Sequence, residues 1–147
     1  MYPYILFLHI LAATIWTGGH LVLAMSILPT ALKERSALYL LRFESGYEKI
    51  GIPALIIQVI TGLWLAYHLM PDVGLWFSID NPISRSILAK LGLLLITALF
   101  AADARLRIIP DLTDQNLMSL AYHIIPVTIL SVLFVIVGVS FRTGGLF

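Results

Sequence analysis

Val127-Thr128-Ile129-Leu130-Ser131-Val132-Leu133-Phe134-Val135-Ile136-Val137-Gly138-Val139 is thirteen residues without a single charge. With Leu117 to Pro126 before it and Ser140-Phe141 after it, the uncharged stretch is broken only by His123. That is enough to cross the hydrocarbon core of a bilayer, which takes roughly 20 residues of α-helix. Helix is the only solution for one such segment, because its backbone N–H and C=O groups must be satisfied internally where no water is available. Working back from this run, three more of the same kind emerge. The expected spans are residues 4–28, 51–69, 83–102 and 116–141. The first closes at Pro29, the second before Met70-Pro71-Asp72, and the third opens on Asp80-Asn81-Pro82, a helix-start signal with proline in the first turn.

Composition agrees. Of 147 residues, 60% are hydrophobic and 12% charged, about half the charged share of a soluble domain. The expected fold is all-α: an integral membrane bundle of four transmembrane helices forming a single domain over residues 1–147. The first span lacks a basic leader and is too long for a cleavable signal peptide. A net charge of +1 supplies no field for nucleic acid, and the lack of cysteine removes disulfides, thiolate metal sites and iron–sulfur clusters.

Orientation follows the basic residues. Lys33, Arg35, Arg42 and Lys49 lie between the first two spans, and Arg105 and Arg107 between the last two. The opposite side has only Arg85 and Arg142 near the ends of spans. Both basic loops are therefore placed in the cytoplasm and both termini outside, in a bacterial inner membrane. The stretch Ala37 to Tyr47 reads as an interfacial helix or as a cytoplasmic extension of the second span. Trp76 and Phe77 suit the outer interface.

Polar groups inside spans carry the chemistry, because each is costly in lipid. Four histidines stand out: His9, His20, His68 and His123. His20 lies eleven residues beyond His9 on one helix, about 16 Å along it and within about 20° of the same face. Estimated depths sort the four into an outer pair, His9 with His68, and an inner pair, His20 with His123. Two imidazoles facing each other between helices suit the axial positions of haem b, one or two per chain, and so a b-type cytochrome passing electrons to or from a quinone or periplasmic redox partner. Gly18, Gly19, Gly62, Gly92 and Gly138 would make room for the ring. Lys90, Arg85 and Arg142 outside, and Arg105 and Arg107 inside, would face its propionates. Against this stand ordinary roles: histidines and Gln58 as interhelical hydrogen-bond partners, glycines at helix crossings, and snorkelling cations. Copper is the alternative ligand, with Met1, Met25, Met70 and Met118 as soft donors, although no Met-x-x-Met spacing occurs. The bilayer is the expected partner, and a homodimer stays open.

One repeat is visible. Leu65-Ala66-Tyr67-His68-Leu69-Met70-Pro71 and Leu120-Ala121-Tyr122-His123-Ile124-Ile125-Pro126 both read Leu-Ala-Tyr-His-x-x-Pro, and Pro126 is expected to bend the fourth span.

The stretch Leu8-His9 to Trp16-Thr17-Gly18-Gly19, His-x6-Trp-x-Gly-Gly, resembles the first helix of the copper-resistance D (CopD) family. A related pattern, the length and the span count resemble the HemJ-type protoporphyrinogen oxidases. Lys90-Leu91-Gly92-Leu93-Leu94-Leu95 is similar to their third helix, and Thr61-Gly62-Leu63-Trp64-Leu65 to the second helix of both groups. The resemblance implies a membrane oxidoreductase or a copper carrier, with His9, Trp16, Gly18, Gly19 and Lys90 beside the cofactor. The chain departs from the oxidase pattern at Phe100-Ala101-Ala102-Asp103, which lacks its third-helix histidine, before Lys90, where no aromatic stands, and at His20, which has no counterpart there.

Overall fold

A computed structural model describes residues 1–144, and these are all-helical. Four helices are long and apolar enough to cross a membrane: α1 Tyr2–Glu34, α2 Ala37–Leu69, α3 Pro82–Ile108 and α4 Leu117–Thr143. They overshoot the expected spans mainly at the basic end. The first does not stop at Pro29. A π-helical turn, Leu23–Ile27, precedes the proline, with the Leu28 N–H reaching back to Leu23. The widened turn accommodates a ring and a missing donor that would break a regular helix, and the helix continues to Glu34. It closes on Arg35 in the left-handed region, φ 49°. The next helix starts at once. Ser36 caps it through Tyr39 N–H (3.2 Å), and Ala37 N–H donates to Asp114 Oδ1 at 2.7 Å. Ala37 to Tyr47 is thus continuous with the second span rather than a separate interfacial helix.

The Asp114 cap joins the two basic loops at one end of the bundle. Beneath it lies a compact apolar cluster that includes Leu28, Ala31, Leu40, Leu117, Leu120 and Ile124. At the opposite end Val73–Phe77 forms a 3-10 turn, and Trp76 buries its ring and donates from Nε1 to the Met70 carbonyl at 2.8 Å. Trp76 therefore plugs the loop, while Phe77 is exposed.

Packing is not that of a closed square. The first helix packs on the second and fourth, and the third packs on the fourth and makes no extended contact with the second. The α1–α4 seam is made of small polar groups. Thr17 donates to the Ser131 carbonyl (3.2 Å), and the Thr128 hydroxyl lies between the carbonyls of His20 (3.2 Å) and Ile124 (2.7 Å). Ser86 and Ser140 join α3 to α4 at 2.8 Å. Such seams let helix backbones approach closely in lipid, where apolar burial gives no preference for helix over tail. Large apolar side chains such as Ile60, Leu95, Leu99 and Ile129 point outward, as a bilayer requires.

Candidate functional site

The gap left between α2 and α3 is a cavity of about 370 Å³. Its polar wall carries Trp16 and His20 from α1, Glu44, Tyr47 and Glu48 from α2, and His123 from α4. A second π turn, Ala104–Ile108, brings Arg105 across the gap. Arg105 holds Glu48 in a two-pronged ion pair, 2.7 and 2.6 Å, and this pair links the helices that otherwise stand apart.

His20 is buried, with its ring 4.3 Å from that of Trp16 and edge-on to Tyr47 at 5.6 Å. Its Nδ1 faces the Trp16 carbonyl at 2.9 Å, and a carbonyl only accepts, so Nδ1 carries the proton. The Tyr47 hydroxyl donates to the same carbonyl at 2.9 Å. Among the described residues nothing hydrogen-bonds Nε2, which keeps its lone pair. This is the tautomer a metal-ligating histidine takes when its other nitrogen is tied to a backbone carbonyl. His9 follows the same logic. Thr61 donates its hydroxyl to the Ile57 carbonyl at 2.6 Å, so His9 Nδ1 must donate to Thr61 Oγ1 at 2.9 Å, and the lone pair sits on Nε2.

His123 is different. Nδ1 faces the Ser119 carbonyl at 2.9 Å, and Nε2 faces Asp103 Oδ2 at 2.7 Å. With both bonds made the ring carries both protons and offers no lone pair. Asp103 is held in turn by Arg107 at 2.8 Å. The expected inner pair does share a cavity, but only His20 presents a free nitrogen to it. The expected outer pair is not formed. His9 sits against Thr61 and Gly62, whereas exposed His68 stacks on Trp64 (5.1 Å, 7°) and lies 5.2 Å from Tyr2. Tyr2 precedes His9 by seven residues, which separates the two levels by about 10 Å along the helix. The outer ends of both spans fall within two residues of their expected places; the pairing fails because His9 lies seven residues inside its helix and His68 in the last turn of the next.

These placements do not fit a bis-histidine haem at either level. The glycines divide: side chains of the protein fill the space at Gly19 and Gly62. A Cβ on Gly19 would overlap the Tyr47 ring, and one on Gly62 would meet His9 Cε1 at 3.0 Å. At Gly138 it would lie 3.5 Å from Lys90 Nζ, while Gly18 and Gly92 have no neighbour within 4 Å. The expected propionate partners are engaged elsewhere or turned out. Arg105 pairs with Glu48, Lys90 lies over Phe141 (5.6 Å), and Arg142 is exposed at the end of α4. Arg85 donates to the Ile79 carbonyl at 3.4 Å.

Met1, Met25 and Met118 are exposed, and Met70 Sδ accepts from Ser84 at 3.2 Å. Among the described residues no three of His, Asp and Glu come together in a metal-holding group. Gln58 is buried, as an interhelical partner should be, but its Oε1 has no partner.

The sequence reading passed over Glu44, Tyr47 and Glu48. Glu44 Oε2 is buried without a hydrogen bond, as is Trp16 Nε1. A usable signal existed in the spacing. Glu44, Tyr47, Glu48 and Gly51 fall at i, i+3, i+4 and i+7, one face of a helix, and two of them are acids in an otherwise basic segment.

Comparison with known proteins gives one relationship. Residues 41–141 match the family model described as Copper resistance protein D. The matched region runs from α2 into α4 and excludes the His-x6-Trp-x-Gly-Gly motif of α1. No curated protein and no solved structure matches the chain.

Proposed function

For a chain that belongs to the copper resistance protein D family, a multi-pass membrane protein built on four apolar helices, we propose copper handling within the bilayer. In this reading copper is cargo rather than a resident cofactor. His20 and His9 are the first ligands it meets from either side. The observation that carries this is the His20 imidazole: buried, fixed by the Trp16 carbonyl, and holding its Nε2 lone pair toward a cavity. Imidazole is a good copper donor in this neutral form. Two such groups on one helix, about 16 Å apart, provide separate stopping points.

Copper bound per chain in purified full-length protein, read beside copper tolerance of the producing cells, tests the reading. Wild type should retain copper and change tolerance. His20→Ala should lose most of the bound metal while the protein stays folded. Protein that retains no copper, with tolerance unchanged, would overturn it.

A second reading keeps one foothold. The cavity beside His20 also carries the aromatic faces of Trp16 and Phe100, so a porphyrin with a single histidine ligand is the competing occupant. A visible spectrum of protein from haem-replete cells separates the two. A reduced haem spectrum lost in His20→Ala, without copper, would put electron transfer by a b-type haem back in first place.

A further inference from the structure

Resting on the copper reading, we propose that the cavity between α2 and α3 is a copper(II) site, with His20 Nε2 and the Glu44 carboxylate as its protein ligands. Three observations meet here. Glu44 lines the cavity, and its Oε2 is buried with no hydrogen bond. A buried carboxylate oxygen left in this way requires a proton or a cation. Next, the cations of the wall are engaged elsewhere. Arg105 is taken up by Glu48 through both prongs and His123 by Asp103, so neither is bonded to Glu44. Finally, the one lone pair the wall's histidines offer is on neutral His20, because both nitrogens of His123 donate elsewhere.

The donor set chooses the oxidation state. No methionine lines this cavity, and the chain has no cysteine. Soft sulfur would favour copper(I), whereas an imidazole nitrogen beside a carboxylate oxygen favours copper(II), with water completing the tetragonal sphere. Tyr47 sets the two ligands on one wall. It meets His20 edge-on, and Glu44 lies one helical turn before it on the same face. With only two protein ligands and no preformed group of three, the site binds weakly enough for cargo to leave. The Glu48–Arg105 pair joins α2 and α3 at the same wall.

The experiment uses full-length protein in nanodiscs, in a His9→Ala/His68→Ala background so that neither the second stopping point nor the exposed imidazole contributes signal. Copper(II) is titrated and read by electron paramagnetic resonance and by competition with a chelator. Copper(I) is titrated anaerobically against a copper(I)-specific chelator. Expected is about one copper(II) per chain, with hyperfine coupling from one imidazole nitrogen. His20→Gln should abolish that coupling. Glu44→Gln, which keeps shape and removes charge, should weaken copper(II) by about tenfold or more and copper(I) by much less. Thermal unfolding of each variant shows whether the fold survives. If Glu44→Gln leaves copper(II) affinity unchanged, or if copper(I) binds more tightly through the same residues, the proposal fails while the copper reading stands. Protein that binds neither oxidation state overturns both.

Discussion

A glycine pair shows how residue identity is used here. Gly18 and Gly19 are adjacent and look equivalent in sequence, yet a Cβ at Gly18 meets nothing within 4 Å while one at Gly19 would run into the Tyr47 ring. Gly19→Ala should therefore displace Tyr47 and cost about 1–3 kcal/mol by overpacking. Gly18→Ala should be neutral or raise stability by up to about 1 kcal/mol through helix propensity. Reversible unfolding in a mild denaturing detergent compares the two, and equal effects would mean that Tyr47 is not seated where it is drawn. The tyrosine has its own test. Tyr47→Phe removes the hydroxyl that donates to the Trp16 carbonyl at 2.9 Å, and should cost about 0.5–1.5 kcal/mol. Because the His20 Nδ1 proton still has that carbonyl, the phenylalanine variant should keep its copper stoichiometry. A loss of copper there would assign the tyrosine a direct role.

At the scale of elements, the helix ends are set by contacts distant in sequence. The N-terminus of α2 is capped by its own Ser36 and by Asp114 from the loop before α4. Asp114→Ala removes an acceptor 2.7 Å from Ala37 N–H and should cost about 0.5–2 kcal/mol. It should also loosen the first turns of α2, those that carry Leu40 and Glu44 toward the core and cavity. Hydrogen exchange at residues 37–44 would register this, and unchanged protection there would count against the cap. The Glu48–Arg105 pair behaves differently. Its side chains are 27% and 56% exposed, so Glu48→Gln should alter stability by less than about 1 kcal/mol. What it should change is the separation of α2 and α3, because no extended contact backs the pair up. A distance between spin labels on the two helices would report that widening.

Across the whole molecule, the two basic loops lie at one end of the bundle, joined by the Asp114–Ala37 bond. We propose that this end faces the cytoplasm, on the excess of lysine and arginine there, with both termini outside and the bilayer that of a bacterial inner membrane. A phosphatase fused at the C-terminus should be active, and a cytoplasmic reporter at the same place silent. The reverse result would turn the route over, so that copper reaches His9 before His20 from the cytoplasm, and would leave the fold untouched. The packing order, α2 on α1 on α4 on α3, leaves one open side. The cavity lies on that side.

Four apolar runs with breaks at charged loops determined by themselves that the protein is a helical membrane bundle, because each run of that length can satisfy its backbone hydrogen bonds within itself only as a helix. The family resemblance was legible too, in short motifs on α1, α2 and α3, and the family match over residues 41–141 supports it. The repeat Leu-Ala-Tyr-His-x-x-Pro was equally visible, and its two histidines stand in different surroundings. His68 ends a helix exposed on Trp64, and His123 sits in a network with Asp103 and Ser119. Only the tertiary structure decided such differences. Whether a histidine can ligate depends on which atoms its two nitrogens face, and those atoms come from carbonyls, carboxylates and hydroxyls on other turns and other helices. Pro29 taught the same lesson for helix length. A π turn carried α1 past it, and the partner of His9 proved to be Thr61 rather than His68. Glu44 was the largest omission. Read linearly it is one acid in a charged segment, and it became a candidate ligand only because α2 and α3 stand apart and leave its oxygen buried beside His20.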